Sequence, residues 1–280
     1  MKQSIYPCLW FDGKAKEAAL FYGSVFSNSK IDADTPMVVT FELAGQAFMG
    51  LNGGPMFKPN PSISFYVVCE TAQEIETSWN KLLEGGDVLM PLDEYPWSKQ
   101  FGWLNDQYGI SWQLTLGIVA ELGQKITPLL MFTQDQAGNA EHAIHFYSDI
   151  FDHSSIKLVA RYEAGEPDVT GTIKHAQFKL GEQLFMAMDS SMPHQFRFNE
   201  GISFVISCDN QEEIDYYWNK LTEGGEESMC GWLKDRYGVS WQVVPDALGT
   251  LMTGEPEKTK RVMQALLQMK KLDIDRLVNA

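Results

Sequence analysis

The sequence predicts an α+β fold made of four βαβββ units, carried as two tandem copies of a two-unit block. Two observations support this. Strings from the first half return in the same order in the second, and one series of elements runs twice within each half. Phe21-Tyr22-Gly23-Ser24-Val25-Phe26 returns as Phe146-Tyr147-Ser148-Asp149-Ile150-Phe151, and Trp79-Asn80-Lys81-Leu82 as Trp218-Asn219-Lys220-Leu221. Trp103-Leu104-Asn105-Asp106-Gln107-Tyr108-Gly109 returns as Trp232-Leu233-Lys234-Asp235-Arg236-Tyr237-Gly238. Copy one spans residues 1–122, copy two 126–248, and a helical tail 249–280 has no counterpart.

Each copy opens on a short apolar strand, at residues 6–11 and 128–132. A helix follows, with Ala15, Ala18, Ala19, Tyr22, Val25 and Phe26 at helical spacing, matched by Ala140, Ala143, Ile144, Tyr147, Ile150 and Phe151. Strands at 37–43 and 46–51 flank Ala44-Gly45, and strands at 175–180 and 183–188 flank Gly181-Glu182, which reads as a hairpin in each copy. The series then restarts with strands at 63–69 and 202–208 and helices at 72–83 and 211–221. Thr71 and Asp209 are the expected caps, and Gly85-Gly86 and Gly224-Gly225 the stops. In the tail, residues 259–269 form an amphipathic helix started by Thr253 or Pro256, and 273–278 form a second short helical turn. This tail is expected to pack on the body or on a twin chain.

The composition narrows the function. With 280 residues, 44% of them hydrophobic, the chain can fill one or two full cores. A net charge of −15 and a pI near 4.7 repel phosphate backbones and anionic lipids, so nucleic acid and membranes are not expected partners. No apolar run approaches the ~20 residues of a bilayer span, and the start at Met1-Lys2-Gln3 lacks a signal-peptide pattern. Cys69 and Cys208 occupy the same position in apolar strands, and there is no CxxC among the four cysteines. They read as buried thiols in a reducing, cytoplasmic setting. Cys230 has no basic neighbour in sequence to activate it.

The run Pro7-Cys8-Leu9-Trp10-Phe11-Asp12-Gly13-Lys14-Ala15, continuing to Phe21-Tyr22 and Val25-Phe26, resembles the opening of the PhnB-like branch of the vicinal oxygen chelate superfamily. Phe48-Met49-Gly50-Leu51-Asn52-Gly53-Gly54-Pro55 and Cys230-Gly231-Trp232-Leu233-Lys234-Asp235 resemble its other motifs. This branch is often labelled 3-demethylubiquinone-9 3-methyltransferase. The resemblance implies tandem glyoxalase/bleomycin-resistance-like domains, with two curved mixed β-sheets of eight strands flanked by helices. Units could pair within a copy or across copies, the latter mimicking a dimer of single-copy relatives. A whole-chain homodimer is a further expectation. The methyltransferase label gets no support from the residues. Gly53-Gly54-Pro55 leads into Phe57, Pro59 and Pro61 and cannot open the helix that a Rossmann-type cofactor turn requires.

Enzymes of this superfamily hold a divalent metal in each cup through His, Glu or Gln from the first and last strands of each unit. The matching strands here offer Gln113 in copy one and Gln242 in copy two, and one amide does not hold a divalent ion against water. The five histidines all lie in copy two. His142 and His145 lie towards the outside of a helix, whereas His175 sits on a strand at the position of Val38. No metal or cofactor is therefore expected. The candidate ligand-binding residues are Gln113 and Gln242, Ser64 and Tyr66, His175, and Met49 and Met186 as adaptable apolar lining. Trp112 and Trp241 are expected in the core. Asp106 and Asp235 are expected to mark tight turns rather than an acid–base pair. The function these residues favour is metal-free binding of a small, partly apolar molecule. A metal-dependent lyase, isomerase or dioxygenase and a non-catalytic scaffold are the alternatives.

Overall fold

In the computed structural model, which describes residues 4–280, unit one runs β1 (Ser4–Phe11), α1 (Ala15–Val25), β2 (Lys30–Asp34), β3 (Val38–Leu43) and β4 (Gln46–Asn52). Unit two runs β5 (Ile63–Cys69), α2 (Ala72–Leu82), β6 (Asp87–Tyr95), β7 (Ser98–Asn105) and β8 (Ser111–Leu116). After the single turn α3 (Val119–Leu122), unit three runs β9 (Ile126–Phe132), α4 (Ala140–Ile150), β10 (Ser155–Arg161), β11 (Ile173–Leu180) and β12 (Gln183–Asp189). Unit four runs β13 (Ile202–Cys208), α5 (Gln211–Leu221), β14 (Glu226–Glu227), β15 (Trp232–Lys234) and β16 (Ser240–Pro245). The tail forms α6 (Leu248–Met252), α7 (Pro256–Leu266) and α8 (Ile274–Val278). No helix of the described residues is long and apolar enough to cross a membrane.

Local chemistry sets the boundaries. Thr71 caps α2 by accepting from Glu74 N at 3.1 Å, and the Glu74 carboxylate accepts from Glu70 N at 2.7 Å, a reciprocal capping box. In α5 the cap is Asn210 rather than Asp209. Glu213 stands three residues after Asn210 and closes the same box on Asp209 N at 2.9 Å, which fixes the register. The tail helix starts at Pro256, whose missing N–H costs nothing in a first turn, and ends at Leu266, three residues short of the expected end.

The strands form two eight-stranded mixed sheets, and each sheet draws one unit from each copy. The first has the order β14-β15-β16-β13-β1-β4-β3-β2, which joins units one and four. The second has the order β10-β11-β12-β9-β5-β8-β7-β6, which joins units two and three. The seams are antiparallel: β1 on β13 from Ser4↔Ser207 to Leu9↔Ile202, and β5 on β9 from Ile63↔Leu130 to Val67↔Ile126. The pairing that sequence left open is thus across copies.

One continuous core lies on the helix-bearing faces of both sheets, with Trp112, Trp241, Tyr22 and Tyr147 fully buried in it. Within it, each copy holds its own two units together through a buried aspartate. Asp106 accepts from Tyr22 Oη and Trp112 Nε1 at 2.8 Å each, and from the backbone of Tyr108 at 2.8 Å and Ile110 at 3.0 Å. Asp235 repeats the pattern with Tyr147 at 2.7 Å, Trp241 at 2.8 Å, Tyr237 N at 2.9 Å and Val239 N at 3.1 Å. These residues do mark a tight turn. They also reach from unit two to the helix of unit one, and from unit four to the helix of unit three.

The two copies differ at one hairpin. Residues 87–101 separate Gly86 from Gly102, whereas only 226–230 separate Gly225 from Gly231. Beside the shorter hairpin lies the tail, with Cys230 N and Gly231 N donating to Met269 O at 2.7 Å and Lys270 O at 2.8 Å. Val262, Met269, Leu272 and Leu277 form a small core of their own against Val244. The tail thus packs on the body of its own chain.

Candidate functional site

On the helix-free face of the second sheet, Tyr66↔Gln113 and Ser64↔Ser111 are register partners, and Gln113 Nε2 donates to Ser64 Oγ at 3.0 Å. His175 stands on β11, three strands from Tyr66 on β5. Three spacings of about 4.8 Å make roughly 14 Å along a flat sheet. The two rings nevertheless lie 6.4 Å apart between centroids, so this face is concave. Leu129, Met131 and Met186 form a buried floor, surrounded by Tyr66, Trp103, Met188 and Phe196. Aromatic contacts run from the floor to the rim: Phe101 lies 6.4 Å from Tyr66 and 5.8 Å from Trp97, which stacks on Tyr95 at 5.1 Å. Trp97 is 59% exposed.

His175 is half-buried, and burial pushes its pKa below the usual histidine value, so the ring is neutral at pH 7. Gln177 Nε2, an amide donor, lies 3.3 Å from His175 Nε2, which therefore accepts and leaves the ring its Nδ1–H as a donor. Desolvation also raises the Tyr66 pKa, which keeps its hydroxyl protonated.

The face of the first sheet is built alike but filled differently. Gln242 Nε2 donates to Ser203 Oγ at 3.0 Å, repeating the Gln113–Ser64 bond. Trp10 stands where the second sheet has Met131, and packs 5.0 Å from Phe57 and 5.8 Å from Trp232. Its Nε1 donates to Gly54 O at 2.7 Å. Gly53 leaves room for the ring, since a Cβ there would stand 2.1 Å from it. Cys8 lies beside Gln242 and Ser203, and desolvation pushes its pKa up to about 12 despite their hydrogen bonds.

The expected ligand set therefore divides. Ser64, Tyr66, Gln113, His175 and Met186 share the cup of units two and three, whereas Gln242 and Met49 belong to the sheet of units one and four. Of the methionines near the predicted strands, Met56 and Met192 are exposed at linkers. Met131, Trp103, Phe196 and Trp97 were not among the expected residues. One signal for Met131 was present in the aligned strings Leu9-Trp10-Phe11 and Leu130-Met131-Phe132, where a ring gives way to a flexible chain. Cys230, in the left-handed region at φ 61°, is half-buried, and burial raises its pKa away from the reactive thiolate.

Among the described residues no three His, Cys, Asp or Glu side chains converge on one point. The cup of units two and three offers one imidazole and neutral oxygens, and the other offers a protonated thiol, a hydroxyl and an amide. Neither donor set fits the divalent metal that the resemblance implies, which needs several charged or imidazole ligands.

Residues 3–115 and 124–244 match the family model described as 3-demethylubiquinone-9 3-methyltransferase. Among solved structures, the PhnB protein from Bacillus cereus, described under the same methyltransferase heading, is 47% identical, over 39% of this chain and 96% of that one, with a TM-score of 0.37. A protein from Staphylococcus aureus is 32% identical, over 40% of this chain and 94% of that one, with a TM-score of 0.19. Glyoxalase I from Zea mays is 12% identical but covers 89% of this chain and 96% of that one, with a TM-score of 0.59, a likeness of fold across both copies. Among curated proteins there is no match.

Proposed function

Since the chain belongs to the PhnB-type 3-demethylubiquinone-9 3-methyltransferase family, within the vicinal oxygen chelate superfamily, we propose that it is a metal-free binding protein for a small, partly apolar molecule. The ligand lies in the cup of units two and three. The observation that carries this is the grouping of Tyr66, Gln113 and a neutral His175 over a floor of Met131 and Met186. A few oriented polar groups in an apolar, adaptable concavity are what small-molecule recognition needs. The matching centre of the other sheet is taken by Trp10, Phe57 and Trp232, which favours one ligand per chain. The family's methyltransferase name finds no support in these residues, because among the described residues no glycine-rich turn joins a strand to a helix as a Rossmann-type cofactor site requires.

Two measurements test this. Protein incubated with zinc, manganese, nickel and iron(II), then desalted, is expected to retain far less than stoichiometric metal. Near-stoichiometric retention of one ion would transfer the reading to a metal-dependent enzyme. A screen of small amphipathic molecules by thermal shift is expected to yield a stabilising ligand. Gln113→Leu and His175→Leu should each weaken its binding by about tenfold, the size of one lost buried hydrogen bond, while Trp10→Ala leaves it unchanged. Equal binding by all four proteins would remove the cup of units two and three as the site.

A further inference from the structure

A second cavity, of about 290 Å3, opens in copy two, where the turn after β9, the linker before β13 and the turn after β15 meet. Arg197, Lys234 and Arg236 line it, together with Asp135, Glu226 and Tyr237. The aligned strings show that two of these cations are particular to this copy. Lys234 and Arg236 stand where copy one has Asn105 and Gln107, and Arg197 replaces the shorter-headed Lys58. One wall is also particular to it. Eight positions separate Phe132 from Ala140, against four between Phe11 and Ala15, and the extra residues make the 3-10 turn Gln134–Gln136. Gln134 sits at φ 53°, a left-handed conformation, and its amide donates to His194 O at 3.1 Å and Phe196 O at 3.3 Å. Thr133 Oγ1 donates to Phe196 O at 2.8 Å. The insertion is thereby tied to the linker that carries Arg197.

The cations are held in different ways. Arg236 donates through Nε and Nη2 to Glu223 O at 3.0 and 2.8 Å, its Nη2 lies 3.6 Å from the exposed Glu223 carboxylate, and its guanidinium carbon lies 4.6 Å over the Phe146 ring. This fixes the plane of the fork and leaves its Nη1 edge without a partner among the described residues. Lys234 is paired with Glu200 at 2.8 Å. The Arg197 guanidinium has no partner among the described residues. Asp235 spends its oxygens on the four donors already described, which leaves the exposed Asp135 and Glu226 as the acceptors of the cavity. In a chain of net charge −15, two guanidinium groups at one cavity, one of them held in orientation, are out of keeping with general solubility.

We propose that this cavity binds a small organic oxyanion, a carboxylate or a phosphate, through Arg197 and Arg236. Asp135 and Glu226 accept from hydroxyl or ammonium groups of the same ligand. Planar guanidinium forks match the geometry of either oxyanion. This site is separate from the cup and does not depend on it.

The test is an amide NMR titration of the whole chain with inorganic phosphate and, separately, malonate, each against chloride at matched ionic strength. The expected result is a saturable shift of the Gly224, Gly225 and Gly238 amides with at least one probe. Phosphate alone would identify a phosphate site, and malonate alone a carboxylate site. Arg197→Gln, at an exposed and unpaired residue, should raise the dissociation constant by about tenfold. No saturable shift with either probe would overturn the proposal. So would an unchanged constant in Arg197→Gln, or equal shifts at Gly85, Gly86 and Gly109 of copy one.

Discussion

At pH 5, where both native carboxyl groups are protonated, Asp106→Ala and Asp235→Ala will each lower the free energy of unfolding by about 2–6 kcal/mol, a large part of what a chain of this kind has to spare. Each aspartate is the shared acceptor of four donors. Tyr22 and Trp112 are 0% exposed, and Tyr147 and Trp241 are 1% exposed, so water cannot replace the lost acceptor. A buried donor left without a partner costs about 1–3 kcal/mol, and at least two are stranded in each variant. Urea unfolding followed by tryptophan fluorescence gives the value directly, and a loss below about 1 kcal/mol would show that the staple is incidental. The asparagine variants isolate the charge. Burial lifts both carboxyl groups to about 6, against an ordinary 3.8. The folded state therefore holds these protons more tightly than the unfolded chain does. Stability from this source is complete below pH 4 and is lost as pH rises through about 6, by roughly 3 kcal/mol per aspartate. The expected signature is a fall in unfolding free energy between pH 4 and 7 that is shallower in Asp106→Asn and Asp235→Asn. A wild-type slope of the opposite sign would mean that the four hydrogen bonds outweigh desolvation.

Gly86→Ala and Gly225→Ala will be comparably damaging, for a steric reason. A Cβ at Gly86 would stand 2.2 Å from Asn105 O, and one at Gly225 would stand 2.1 Å from Lys234 O. Both contacts are with backbone of the neighbouring strand, so no side chain can swing away. The hairpin must separate, and the turn carrying Asp106 or Asp235 moves with it. We expect a loss of several kcal/mol, or failure to accumulate folded protein. Gly249→Ala is the control: nothing lies within 4 Å of its Cβ, and it sits in helix α6. It should be neutral or stabilising by up to about 1 kcal/mol. If Gly225→Ala melts with the wild type, the close approach of these strands is not a constraint.

The repeat, the four units, the hairpins and the buried tryptophans could be read from the chain because each is written in local pattern and in aligned strings. The seam between β1 and β13 could not, since nothing local to residues 4–9 specifies a partner at 202–207. The same gap hid the shape of the candidate site. Gln113, Ser64 and Tyr66 were legible as polar residues on one face of adjoining strands, but their company with His175 depends on which unit closes the sheet. The cap at Asn210 was missed for a smaller reason. Asp209 and Asn210 are both good caps, and only the return bond from Glu213 chooses between them. Asp106 and Asp235 were read correctly as turn residues. Their grip on Tyr22 and Tyr147 spans 84 and 88 residues, beyond any turn rule.

The seam between the first and last units also imposes a schedule on synthesis. Strand β1 is made before the other strands of this fold, yet its partner β13 begins at Ile202, roughly 200 residues later. At about 5–20 residues per second, a ribosome leaves that edge unpaired for roughly 10–40 s. Units two and three, adjacent in the chain, can meanwhile close their own sheet and form a template. The nascent protein is then half built and sticky along one strand. Its yield in a cell depends on what shields β1 during the wait, so a slow stretch of message between units three and four would favour aggregation over folding.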